Sequence, residues 1–106
     1  MTVQVRMTES GLAVSGELDM AAADDFRAFA ASVVDPTREV VLDMADLEFI
    51  DSAGMRAILR MAETVCPHGL VLRWPQDNVL RALELLGVET IAGIRVDRRK
   101  GESGLF

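Results

Sequence analysis

Disulfides are excluded first. Cys66 is the only cysteine in 106 residues, so no intrachain bridge can form, and a reducing compartment fits. Histidine is as scarce, with His68 alone, which leaves little for acid–base or zinc chemistry. No apolar run approaches the roughly 20 residues that a membrane helix needs. The opening MTVQVRMTES lacks a basic region followed by an apolar block, so no secretory signal is expected. These absences predict a cytoplasmic protein without direct membrane contact. Positive charge is also short: 11 basic against 17 acidic side chains give a net charge of -6. Nucleic acid is disfavoured as a partner, because phosphate binding needs clustered cations. Arginine supplies all the basic residues except Lys100.

Half of the residues are apolar, enough for the core of one domain. Val3, Val5 and Met7 alternate along residues 2–7, and Leu12, Val14 and Leu18 along 12–18. Period two predicts two paired strands, with TESG at 8–11 as their turn. Asp19 then precedes an alanine-rich helix carrying Phe26, Phe29, Ala30 and Val33 on one face, and Asp19 is placed to cap it. EVVLDM at 39–44 reads as a buried strand, and ADLEFID as a loop with Leu47, Phe49 and Ile50 turned inward.

A second helix is predicted from about Ala53 to Cys66, with Met55, Ile58, Leu59, Ala62 and Val65 as its apolar stripe and Arg56, Arg60 and Glu63 opposite. LVLRW at 70–74 is a strand that Pro75 breaks, with Trp74 a packing residue at its end. DNVLRALELLG is a third helix with Val79, Leu83 and Leu86 on one face and Gly87 as its stop, and IAGIRV at 91–96 is a last strand. The pattern predicts a single α/β domain over residues 1–97, a mixed sheet with an N-terminal hairpin and helices packed against it. Residues 98–106 are expected to be a disordered tail.

The junction FIDSAG, residues 49–54, places Ser52 between a strand and a helix. Its hydroxyl suits an N-cap, accepting from the free N–H groups of the first turn. The same place suits a switch. A phosphoryl group is tolerated at a helix N-terminus, yet adds a charge of about -1.5 to -2 to the surface. A nucleophile is the weakest reading. His68 lies at the far end of a helix roughly 20 Å long, and the glycine-flanked elbow is missing because position 50 is isoleucine. On the residues alone, cap and switch both stay open.

Asp43, Asp46, Glu48 and Asp51 lie close in sequence, but strand alternation scatters their side chains, and Cys66 with His68 lacks further ligands. No metal site and no cofactor is expected. The methionines read as core filler, although an exposed Met55 beside Ser52 would suit an adaptable interface.

VVLDMADLEFIDSAGMRAILRM resembles the central signature of STAS domains, in particular bacterial anti-sigma factor antagonists. GELD at 16–19 and VLRALELLGVETI resemble the family's second strand ending, third helix and final strand. The resemblance implies a small α/β domain that is not an enzyme. It implies Ser52 as the acceptor of a phosphoryl group from an anti-sigma factor serine kinase. The unmodified antagonist binds that kinase and frees a sigma factor, and a metal-dependent serine phosphatase resets the switch. Asp51 and Gly54 would shape the loop and helix start. Asp19 would lie near the serine on the binding face, and Met55 and Arg56 would share the contact surface. Arg56 stands where small residues are common in the family, and the arginines at 98–99 give the tail a second possible contact. Some STAS proteins are instead subunits of lipid-transport ATPase complexes, which is the alternative reading.

Overall fold

A computed structural model describes residues 3–98. Five strands form one sheet in the order β1-β2-β3-β4-β5. The strands are β1 (Val3–Thr8), β2 (Gly11–Leu18), β3 (Val40–Ile50), β4 (Leu70–Arg73) and β5 (Ile94–Asp97). β1 and β2 form the antiparallel hairpin that the alternation predicted, and the other pairings are parallel. Between the parallel strands run α1 (Met20–Val33), α2 (Ser52–Val65) and α3 (Asp77–Leu85), the last followed by a 3-10 turn at Val88–Thr90.

The register explains the core. Leu12 pairs with Leu42, Leu42 with Leu72 and Leu72 with Val96, so one row of apolar side chains crosses four strands on a single face. All four are buried, and Phe26 of α1, Ile58 of α2 and Leu83 of α3 belong to the same cluster. Gly87 (φ 67°) takes the left-handed conformation just past α3, which is why glycine stops that helix.

The chief departure from the sequence expectation is β3. The segment read as a loop after Met44 continues as strand to Ile50. Its pairing with β2 shifts twice, between Ala13 and Ser15 and between Gly16 and Glu17, each time because β3 carries an extra residue. These bulges break the period-two pattern that would have marked a strand. They are stabilised locally. The Asp43 carboxylate accepts from the Ala45 N–H (3.0 Å) across the first. From the start of α3, Gln76 Nε2 donates to the Ala45 carbonyl (2.9 Å) and Asn78 Nδ2 to the Glu48 carbonyl (2.7 Å). Both bulge carbonyls thus find partners outside the ladder.

Further corrections follow from the same geometry. Leu47 and Ile50 are buried as expected, but Phe49 points outward and is 46% exposed. Leu86, expected on the buried face of α3, is exposed, because the helix has ended at Leu85. The last strand begins at Ile94, since residues 91–93 form a bend and turn in which Gly93 takes φ 89°. Trp74 sits just past β4, half-buried, with the Arg73 guanidinium 4.3 Å from its ring centroid. Arg98, assigned to the tail on sequence, instead pairs with Glu89 (2.9 Å) and Glu84 (3.1 Å), and the rest of that segment lies outside the described residues.

Candidate functional site

The site grows from one pairing. Leu18 and Ile50 end β2 and β3 side by side in parallel register. Each is followed by an aspartate and then by a helix, so Leu18-Asp19-Met20 and Ile50-Asp51-Ser52 are two copies of one junction. Asp19 (φ -113°, ψ -173°) and Asp51 (φ -115°, ψ -173°) have nearly identical extended backbones. Met20 and Ser52 open α1 and α2 as equivalent first residues. The N-termini of both helices therefore lie together at one edge of the sheet.

Each aspartate caps its own helix. Asp19 Oδ1 accepts from the Ala22 N–H at 3.1 Å, as the sequence predicted. Asp51 Oδ1 accepts from the Gly54 N–H at 2.9 Å, and its other oxygen accepts from the Met20 N–H at 3.0 Å. One carboxylate thus closes α2 and ties it to the start of α1, where both helix dipoles favour negative charge.

This corrects the cap reading of Ser52. Aspartate and serine both cap well, and the chain offers them consecutively. Here Asp51 has the extended backbone of a cap, whereas Ser52 is already helical and exposed. Among the described residues its hydroxyl makes no hydrogen bond.

The predicted site residues divide. Asp19, Asp51 and Ser52 meet at the junction, and Arg56 stands exposed one turn further along α2. Gly54 and Met55 are both buried, Met55 at 4% exposure, so neither offers a contact surface. Their roles are internal. Gly54 packs so closely on the end of β2 that a Cβ would fall on the Leu18 carbonyl oxygen. That carbonyl also accepts from the Asp51 N–H at 3.3 Å. Glycine is needed here for close approach rather than for an unusual dihedral angle. Met55 belongs to the core, as the apolar stripe of α2 required.

Sequence reasoning missed the apolar part of this surface. Met20 is 77% exposed, and its N–H is held by Asp51. Phe49, three residues before Ser52, is also exposed. The signal for Met20 was available in the repeated Asp-then-helix junction, which makes Met20 the counterpart of Ser52. For Phe49 there was none, because the bulges scramble the alternation.

No cluster of three or more histidine, cysteine, aspartate or glutamate side chains suited to a metal occurs among the described residues. His68 is exposed beyond the C-terminal end of α2, whereas Ser52 opens that helix. No described helix is long and apolar enough to cross a membrane.

Comparison with known proteins gives one family. No curated protein matches the chain. Among solved structures, an anti-sigma factor antagonist from Mycobacterium paratuberculosis is 27% identical, with a TM-score of 0.64 over 89% of this chain and 84% of that one. SpoIIAA in its unphosphorylated form superposes with a TM-score of 0.68 at 19% identity, covering 96% of this chain and 92% of that one. The phosphorylated form of the Bacillus cell fate determinant SpoIIAA gives 0.62 at 18% identity, with 96% of each chain covered. At those last two identities the likeness is one of fold. A family model described as "Mlab, STAS domain" matches residues 1–95, and with the hairpin, the mixed five-stranded sheet and the Asp-Ser junction in place, the chain belongs to the STAS domain family.

Proposed function

We propose that the chain is an anti-sigma factor antagonist controlled by phosphorylation of Ser52. Unmodified, it binds an anti-sigma factor serine kinase and releases a sigma factor; phosphorylated, it lets the kinase go until a metal-dependent serine phosphatase restores it. In this reading the protein is a cytoplasmic binding module and catalyses nothing itself. The observation that carries it is the free hydroxyl of Ser52. Asp51 does the capping, so serine at this exposed position is not needed to hold the helix. It is left open to a kinase. The resemblance of the whole domain to anti-sigma factor antagonists supports the same reading.

The physics of the switch is local. Exposed Met20 gives a partner apolar area, and Asp51, which holds the Met20 N–H, brings it beside Ser52. A phosphoryl group adds about -1.5 to -2 charge beside Asp51. Two like charges about 6 Å apart repel by roughly 1–3 kcal/mol at surface dielectrics, which is about 5- to 150-fold in affinity for a partner carboxylate at that spot. No rearrangement of the fold is required. The test compares Ser52→Ala and Ser52→Asp as baits for the kinase. The alanine variant should hold it and resist phosphorylation, and the aspartate variant should lose it. Equal binding by both would remove the switch.

The family description names Mlab, and this favours a second reading. There the chain is a constitutive accessory subunit of a lipid-transport ATPase complex, and Ser52 is never modified. Recovery of an ATPase subunit by both baits alike would select it.

A further inference from the structure

The arginines are not spread evenly over this acidic chain. α1 and α2 pack side by side, and the seam between them opens into two neighbouring hollows of about 210 and 120 Å³. Arg27, Ala57 and Arg60 line both, so the hollows form one continuous groove. Its upper end is made by Met20, Ala53 and Arg56, adjoining Ser52. Its floor is low because small side chains stand there, Ala57 being only 1% exposed.

Three arginines rim the groove against one carboxylate, Asp24. That carboxylate reaches Arg27 only at 3.9 Å, in a pair 55% and 94% exposed, which binds Arg27 weakly. Arg56 and Arg60 form no ion pair among the described residues. The groove is therefore cationic on a molecule of net charge -6.

We propose that this groove docks an extended acidic segment of a protein partner. Charge selects the sign of the ligand. Spacing selects its form: Arg56 and Arg60 are one turn apart, about 6 Å along the axis, close to the roughly 6.6 Å between alternate residues of an extended chain. A helix, about 10–12 Å across, is too wide for hollows of this size. An anionic membrane is a poorer fit, because the chain's net negative charge opposes a broad surface, whereas an inserted segment lies within a Debye length of the arginines. The proposal extends the reading of Ser52 as a partner-facing site, since the groove begins beside it, but its test does not depend on that reading.

The test is an NMR titration of the ¹⁵N-labelled protein with acetyl-Glu-Ala-Glu-Ala-Glu-amide, with the lysine analogue as control. The groove predicts saturable shifts confined to the facing residues of α1 and α2 and to the arginine side chains. It predicts about tenfold weaker binding in Arg56→Glu/Arg60→Glu, an intermediate loss in Arg56→Gln/Arg60→Gln, and weakening by salt. Both side chains changed, Arg56 and Arg60, are exposed, and the same spectra report whether the variants fold. Absence of saturable shifts, equal shifts with the lysine peptide, or insensitivity to both double variants would overturn it. So would phosphatidylglycerol vesicles that bind the protein through these arginines while the peptide does not. If the Ser52 baits capture no kinase but the peptide result holds, the groove stands and the switch falls.

Discussion

Asp51, not Ser52, should carry the stability of the junction. Removing the Asp51 side chain deletes the cap on Gly54 and the link to Met20 together. An N-cap is worth about 1 kcal/mol. The exposed bond from Met20 to a charged oxygen adds about another 1 kcal/mol, below the usual range for buried charged partners. Asp51→Ala should therefore cost about 2 kcal/mol, or roughly 8 °C in Tm for a domain of this size. Asp51→Asn keeps an acceptor and should lose about half as much or less, chiefly the interaction of charge with two helix ends. Ser52→Ala should stay within about 0.5 kcal/mol of wild type, since it removes an exposed hydroxyl without a partner. Urea titrations of the three variants, with a common m value, provide the comparison. A Ser52→Ala loss equal to or above that of Asp51→Ala would refute the assignment of the cap. It would also take away the free hydroxyl on which the proposed switch rests.

The same geometry makes other demands. Gly54→Ala should destabilise by about 2 kcal/mol through overpacking against the Leu18 carbonyl, although alanine in an open helix gains up to about 1 kcal/mol over glycine; thermal melts give the sign directly. Gln76→Ala leaves the bulge carbonyl of Ala45 without its partner and should cost about 1 kcal/mol, with faster hydrogen exchange around residues 45–50 than in the rest of β3. Arg98 lowers the carboxyl of Glu89 below its ordinary value of 4.5, mainly by hydrogen bonding. The pair's contribution is then complete above that value and is lost as pH falls through the lowered one. The stability gap between wild type and Arg98→Met should be a few tenths of a kcal/mol at neutral pH, as for exposed pairs, and should close as pH falls through the lowered Glu89 value; a gap that widened on acidification would contradict the assignment.

Much of the architecture was legible because the chain's periodicities are clean where packing is simple. Alternation marked the hairpin, and the stripe of Ile58 and Val65 marked α2 with its buried face correct. What stayed hidden depends on contacts distant in sequence. β3 looked like a loop after Met44 because two extra residues disturb its alternation, and the groups that stabilise them, Gln76 and Asn78, stand about 30 residues away. The choice between Asp51 and Ser52 as cap has no local solution, since both residues favour that position. It is decided by the register of Leu18 with Ile50, which brings the Met20 N–H to the Asp51 carboxylate. The resemblance gives Gly54 a part in shaping the helix start and Met55 a place on the contact surface, but helix geometry turns both toward the sheet, so Met55 is buried in the core. The surface beside Ser52 is instead completed by Met20, whose exposure follows only from the pairing of the two junctions.

The most direct test of the central claim is quantitative affinity capture from native cell extract with Ser52→Ala and Ser52→Asp baits, both verified as folded. The account predicts one serine kinase retained by the alanine bait and depleted on the aspartate bait, with a phosphoryl group found at Ser52 of the wild-type protein in the same cells. Equal recovery of a partner by both baits, with Ser52 unmodified, would contradict the switch and leave the domain as a constitutive binding module.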